Sequence, residues 1–156
     1  ERSFLRYNRK LFRCHGETLM LVYLSQFDNP DENYVRFQNL SSFHRGVLDS
    51  EATSIVCDNF LRTFEYVEIP ELLKLIIKKL RINGEIVIRD IDMDLVSRHV
   101  LDQRLDLSAI NEICKGSSKS LLLCETIEEL LTDLEIITKQ FDENTMTFVI
   151  KARRAQ

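Results

Sequence analysis

The sequence predicts an α/β fold: a three-layer, mostly parallel sheet, reduced in its N-terminal half and finished by an antiparallel hairpin. Three observations carry that prediction. A helix opened by Pro70 repeats Ile69, Leu72, Leu73, Ile76, Ile77 and Leu80 at helical spacing, between strand-sized apolar runs at 54–57 and 85–91. Strand, helix and strand in that order make a crossover unit, so the two strands run parallel. The chain then ends on two runs of period two, 135–141 and 145–153, joined by Asp142-Glu143-Asn144, which read as a hairpin.

The remaining elements follow along the chain. Residues 1–16 interleave Arg2, Arg6, Arg9, Lys10 and Arg13 with Phe4, Leu5, Tyr7, Leu11 and Phe12. Such a pattern can track a phosphate backbone. It also suits an amphipathic helix that packs Phe4, Leu11 and Phe12 and leaves its arginines in water. The helix is preferred, because no second basic cluster is near in sequence to extend a footprint. The aliphatic run 18–24 predicts a buried parallel strand, broken by Asp28-Asn29-Pro30-Asp31. Residues 34–40 read as a second strand around Tyr34-Val35-Arg36-Phe37, 41–51 as a connecting loop and 59–64 as one helical turn. In the long helix Glu68 and Glu71 lie at the start and Lys74, Lys78, Lys79 and Arg81 toward the end, matching the macrodipole. Its lysines are expected in solvent, and Asn83-Gly84 is expected to stop it in left-handed backbone. Residues 94–100 and 105–115 read as helices, 116–118 as a loop, and Thr126 with Glu129 as a capping box opening a helix over 127–132.

Composition bounds the function. A chain of 156 residues, 44% hydrophobic and 29% charged, is one ordinary globular domain, here a basic segment 1–16 followed by a domain 17–156. A net charge of −4 gives no global case for nucleic acid, leaving only segment 2–13 as a candidate. No apolar run reaches membrane-spanning length and no signal pattern is visible, so a cytoplasmic location is expected. Cys14, Cys57, Cys114 and Cys124 show no paired spacing, and the last three sit among apolar neighbours, as buried reduced thiols would. His15, His44 and His99 lie too far apart in sequence to suggest zinc. The chain opens on Glu1 rather than Met, as a segment of a longer protein would.

Three stretches carry a resemblance. Glu71-Leu72-Leu73-Lys74-Leu75-Ile76-Ile77-Lys78-Lys79-Leu80-Arg81-Ile82-Asn83-Gly84-Glu85-Ile86-Val87-Ile88 looks like a helix-to-strand signature of the form L…RVLKPGG.LVI. Thr126-Ile127-Glu128-Glu129-Leu130-Leu131 looks like a T.EEL helix, and Phe148-Val149-Ile150-Lys151-Ala152-Arg153-Arg154 like the strand that ends the same family. Together they resemble the class I S-adenosylmethionine-dependent methyltransferases, over about residues 54–154. The resemblance implies a Rossmann-like sheet and S-adenosylmethionine as cofactor if the domain is active.

The same comparison marks departures. The family's first strand ends in a glycine-rich loop, where close backbone approach to the cofactor tolerates no side chain. Here Leu24 is followed by Ser25-Gln26-Phe27-Asp28, and no glycine occurs between Glu17 and Arg45. The second strand of the family ends in an acid for the ribose hydroxyls; here Phe37 is followed by Gln38-Asn39. The resemblance therefore puts Ser25, Gln26, Asp28, Gln38 and Asn39 at the cofactor position, with Asp28 or Asp31 as a substitute acid. Where many relatives read hvLEH after their fourth strand, this chain has Asn59-Phe60-Leu61-Arg62-Thr63-Phe64. Asp58-Asn59 lies where family strands face the methyl acceptor, but without the family's Pro-Pro-Tyr the pair fits a helix cap better.

Asp90, Asp92 and Asp94 alternate at the exit of the 85–91 run, flanked by Arg89 and Arg98. Three carboxylates there can hold Mg²⁺ or Mn²⁺, or stay solvated with Asp94 capping the next helix. An EF-hand is excluded, because Leu95 stands where its glycine is required. Three functions compete. The first is a methyltransferase-like module that has lost or weakened S-adenosylmethionine binding and serves a structural or interaction role, with a protein partner or a second copy. The second is an active methyltransferase, and the third an Asp-x-Asp metal-dependent glycosyl or nucleotidyl transferase.

Overall fold

The computed structural model describes the backbone of residues 12–14 and 17–18 and the whole of residues 19–28, 31–115 and 118–156. Most of the basic segment expected over 1–16, together with Asn29, Pro30, Gly116 and Ser117, lies outside the described residues. Where that segment is described it is extended rather than helical: β1 (Phe12–Cys14) pairs antiparallel with β2 (Glu17–Leu19). The run read as one strand over 18–24 is thus divided at Met20, whose carbonyl accepts from Thr53 N at 2.8 Å as the chain enters the main sheet.

That sheet has six strands: β3 (Leu21–Leu24), β4 (Val35–Phe37), β5 (Ala52–Asp58), β6 (Leu80–Ile91), β7 (Glu135–Asp142) and β8 (Thr147–Arg153), in the order β4-β3-β5-β6-β8-β7. β4, β3, β5 and β6 run parallel, and β8 lies antiparallel to both β6 and β7. The parallel pair and the terminal hairpin are as the periodicity predicts. Among the described residues five α-helices accompany the sheet: α1 (Leu40–Gly46), α2 (Ile69–Lys79), α3 (Met93–Leu101), α4 (Leu107–Cys114) and α5 (Cys124–Glu129). No helix among the described residues is long and apolar enough to cross a membrane.

Side chains alternate across a strand, and the core forms on one face. Val22, Leu24, Ile55, Cys57, Ile86, Ile88, Phe148 and Ile150 cluster there with Phe43 of α1, Leu72, Leu73 and Ile76 of α2, and Ile127 of α5. The opposite face is more polar and largely half-buried. Tyr23, Val56, Val87 and Lys151 make one row across it, and Asp58, Arg89, Val149 and Gln140 the next. The reduced N-terminal half is visible between β3 and β4, where none of the described residues of 25–34 is helical.

Several expectations are corrected. Residues 41–51 hold a helix, α1, whose first turn is capped by Asn39 Oδ1 accepting from Ser42 N at 2.9 Å. α2 ends at Lys79, with Leu80 already extended. Asn83-Gly84 therefore does not stop the helix; it lies within β6, with Asn83 at φ 63°, opposite a register shift in β5. A Cβ on Gly84 would meet Arg81 O at 2.8 Å and Ala52 O at 3.0 Å, so backbone on both sides requires glycine. Lys79 is buried, paired with Asp49 at 2.9 Å, and Ile77 is only half-buried. α5 opens at Cys124 rather than Ile127, and no Thr126 capping box forms. Cys57 and Cys124 are buried as expected, whereas Cys114 is exposed.

Candidate functional site

Open α/β sheets bind ligands beyond the carboxyl ends of their strands, where the strand order reverses. In this sheet the reversal falls between β3 and β5. Leu24 is in register with both Phe37 and Cys57. Ser25, Gln38 and Asp58 therefore leave the sheet side by side, and the cofactor and acceptor candidates gather at one edge.

Each cofactor candidate there is engaged within the chain. Ser25 is fully buried; its N–H donates to Phe37 O at 3.3 Å and its hydroxyl accepts from Phe27 N at 3.0 Å. Arg36 holds the loop from β4. Its guanidinium donates to Gln26 O at 2.7 Å and to Asp28 Oδ1 at 2.9 Å. With the Gln38 amide turned oxygen-first, Arg36 donates to it as well, at 2.9 and 3.2 Å. Gln26 Nε2 donates to Gln38 O at 3.1 Å. Asn39 is the cap of α1, and Asp31 accepts from Asn33 N at 2.9 Å in an Asx turn.

Asp58 is the centre of a second network. It accepts from the Tyr23 hydroxyl, from Arg89 Nε and Nη2 at 2.9 and 2.7 Å, and from Asn59 Nδ2 at 3.2 Å. Burial works to raise the Asp58 pKa, but the fork from Arg89 and the Tyr23 hydroxyl outweigh it and hold the carboxyl below its usual range. Burial, then the Asp58 charge, push the Tyr23 phenol up to about 12. Asp58-Asn59 is not a helix cap, since the turn Leu61–Thr63 is preceded by Phe60 and has no side-chain cap. Asn59 holds φ 50° and donates its N–H to Arg89 O at 2.9 Å. Tyr23, Arg36 and Arg89 were not singled out by their neighbours in sequence. The readable signal is Arg89, a charge within an alternating apolar strand, at the same height as Asp58 once β5 and β6 are taken as parallel.

The three aspartates after β6 diverge. Asp90 is 1% exposed and accepts from Ile91 N at 2.9 Å, with Arg62 Nε 4.0 Å away and its other oxygen without a partner. Burial raises its pKa to about 6, against the opposing pull of the Ile91 N–H and Arg62. Asp92 Oδ1 accepts from Asp94 N at 3.3 Å and Cys124 N at 3.4 Å, capping α3 and tying down the start of α5. Asp94 pairs with Arg98. Among the described residues no group of three His, Cys, Asp or Glu could hold a metal ion, so the triplet Asp90, Asp92 and Asp94 is not brought together as one.

Comparison with solved structures places this architecture. It is the Rossmann-like fold of the class I methyltransferases. An O-methyltransferase family protein from Burkholderia thailandensis matches with a TM-score of 0.56 and 15% identity, over 80% of this chain and 36% of its own. The 1,6-didemethyltoxoflavin-N1-methyltransferase of the same organism, solved with 1,6-didemethyltoxoflavin and S-adenosylhomocysteine bound, gives 0.54 and 12%, over 85% and 60%. A SAM-dependent methyltransferase from Archaeoglobus fulgidus gives 0.50 and 12%, over 77% and 67%. The chain thus spans from about a third to two-thirds of these neighbours, and at such identities the likeness is one of fold. No family model and no curated protein matches the sequence.

Proposed function

We propose that this chain is a methyltransferase-like module whose cofactor edge is closed by its own side chains, and that it serves a structural or interaction role. The observation that carries this reading is Arg36. A guanidinium from β4 lies across the β3–β4 connection and bonds Gln26, Asp28 and Gln38, the residues a cofactor would have to meet. The Asp28 contact, to a fully exposed carboxylate, contributes little. Bonds from the largely buried guanidinium to Gln26 O and Gln38 are different, each worth about 1 kcal/mol net. Breaking both to admit a ligand lowers affinity by roughly an order of magnitude or more. No carboxylate follows β4 to replace them with ribose contacts, and the side chains from Ser25 to Asp28 occupy the place of a bare backbone loop.

An active S-adenosylmethionine-dependent methyltransferase of unspecified acceptor is the alternative, favoured by the fold of its neighbours and by the position of Asp58-Asn59. The metal-dependent transferase draws no support from aspartates held by separate partners. The interaction reading carries with it a cytoplasmic location and a protein partner or second copy. Isothermal titration with S-adenosylmethionine tests it directly. No saturable heat is expected; micromolar binding competed by S-adenosylhomocysteine would restore the enzyme.

A further inference from the structure

Away from the strand reversal, a cavity of about 580 Å³ opens at the far side of the sheet, between α3, the start of α5 and the edge strand β7. Its size is that of a small-molecule site. Lys139 and Phe141, two residues apart on β7, point to the same side, and Phe141 is 49% exposed. Leu95 and Leu123 complete an apolar wall with Phe141.

The charges on the wall are unequal. Four carboxylates, Asp92, Asp94, Glu125 and Glu143, face two cations, Arg98 and Lys139. Both cations are already paired: Arg98 with Asp94, and Lys139 with Glu128, which is not on the wall. Glu143 stands 3.5 Å from His99. Asp92 and Glu125 make no ion pair within 4 Å among the described residues; Arg98 and Lys139 attract them only from farther off. Asp92 is the more telling of the two. It is only 3% exposed, both of its hydrogen bonds fall on Oδ1, and Oδ2 receives none from the described residues.

We propose that this cavity binds an organic ammonium group carried on an apolar stem, the cation held between Asp92 and Glu125 and the stem against Phe141, Leu123 and Leu95. A buried carboxylate with a free oxygen gains most from an incoming charge that is itself desolvated, because attraction grows as water leaves. The exposed surface of Phe141 adds apolar contact for the stem. Burial raises the Asp92 pKa against the pull of the Asp94 and Cys124 N–H groups and of Arg98, with the Asp94 charge adding to the rise, so a bound cation would relieve the penalty that remains. A neutral ligand would leave it in place, and an anion would add to it.

Titration of the ¹⁵N-labelled chain with phenethylammonium, followed by amide NMR, tests the site. Saturable shifts are expected at Leu95, Leu123, Glu125 and Phe141. Uncharged 2-phenylethanol is expected to bind more weakly and 3-phenylpropanoate not at all. Nα-acetyl-lysine methylamide presents the same head group as a protein side chain would. Tighter binding by it than by phenethylammonium assigns the ammonium to a partner's lysine, and the reverse order to a free amine. Glu125→Gln, at an exposed position, should weaken phenethylammonium by about two- to fivefold, the worth of a partly screened ion pair. Phe141→Ala should weaken it by a similar factor of about two to five, and both variants should keep the remaining amide spectrum unchanged. Equal affinity for the ammonium, the alcohol and the carboxylate would overturn the proposal. So would the absence of saturable shifts at these residues, or an affinity untouched by Glu125→Gln in a folded protein.

Discussion

Replacing Asp90 by Asn removes a charge that folding has taken out of water. The side chain is 1% exposed, one oxygen has no partner, and the nearest cation, Arg62, stands 4.0 Å away. Burial carries the pKa from its ordinary 3.8 to about 6. Each pKa unit is worth about 1.4 kcal/mol, so the ionised form disfavours the folded state by roughly 3 kcal/mol where Asp90 is fully charged. The folded state binds the extra proton, so this penalty is absent below about pH 4. It then grows as pH rises through about 6 and levels off above that.

Asn keeps the shape and an oxygen to accept from Ile91 N, and gives up the attraction to Arg62. The Asp90→Asn variant should therefore be more stable than the parent by about 1–3 kcal/mol at pH 7, with the gain shrinking to near zero at about pH 4. Urea denaturation of both proteins across that range measures it. A variant less stable at about pH 7 would refute the reasoning and point to Arg62 as a true partner, and a difference that does not change with pH would refute it by showing that the Asp90 charge is not its cause.

Other predictions rest on burial and pairing. Ile76→Ala should cost about 2–5 kcal/mol, since Ile76 is fully buried, while Ile77→Ala should cost clearly less; thermal or urea denaturation ranks them. Asp58→Asn should destabilise by about 1–3 kcal/mol at pH 7, because the amide keeps one oxygen for Arg89 and Tyr23 but loses the charge and turns the other acceptor into a donor. Because folding lowers the Asp58 pKa, the parent's advantage is expected to fade as pH drops below about 4, which the same denaturation series follows. Among the described cysteines, Cys114 should react first with a thiol reagent in the native protein. Cys57 and Cys124 are buried with raised pKa values and should wait for unfolding, as peptide mapping after timed labelling would record.

What was legible in the sequence was whatever is local and periodic. The apolar repeat of α2, the aliphatic runs of β5 and β6 and the alternation of β8 each encode an element and its buried face within a few residues. The misreadings have long-range causes. α5 begins at Cys124 because Asp92, 32 residues earlier, accepts its N–H, and no local box could reveal that. Lys79 is buried because Asp49, on another segment, receives it. α1 carries little periodicity; its Asn39 cap resembled a ligand contact only because the preceding strand ends there. At the candidate site the strand ends were legible, and their occupants were not. Gln26, Asp28 and Gln38 are identifiable by position, but Arg36 points back across them only once β3 and β4 lie side by side.

The reduced N-terminal half and the self-satisfied edge are one physical fact. Ten residues, 25–34, connect the parallel strands β3 and β4, fewer than a helical crossover needs. A crossover helix would aim its N-terminal N–H groups at the strand reversal, where they favour an anionic or polar ligand. A short loop offers no such array, and the polar groups that emerge from β3, β4 and β5 must find partners elsewhere. They find them in each other: Arg36 with Gln26, Asp28 and Gln38, and Asp58 with Tyr23 and Arg89. On this reading, glycines substituted at Gln26 and Phe27 would clear side chains without supplying the missing donors, and would add backbone entropy to a loop now held in place. Any cofactor binding by such a variant would have to draw its donors from residues other than a helix after β3, which makes the length of the connection, more than its composition, the determinant of what this edge can hold.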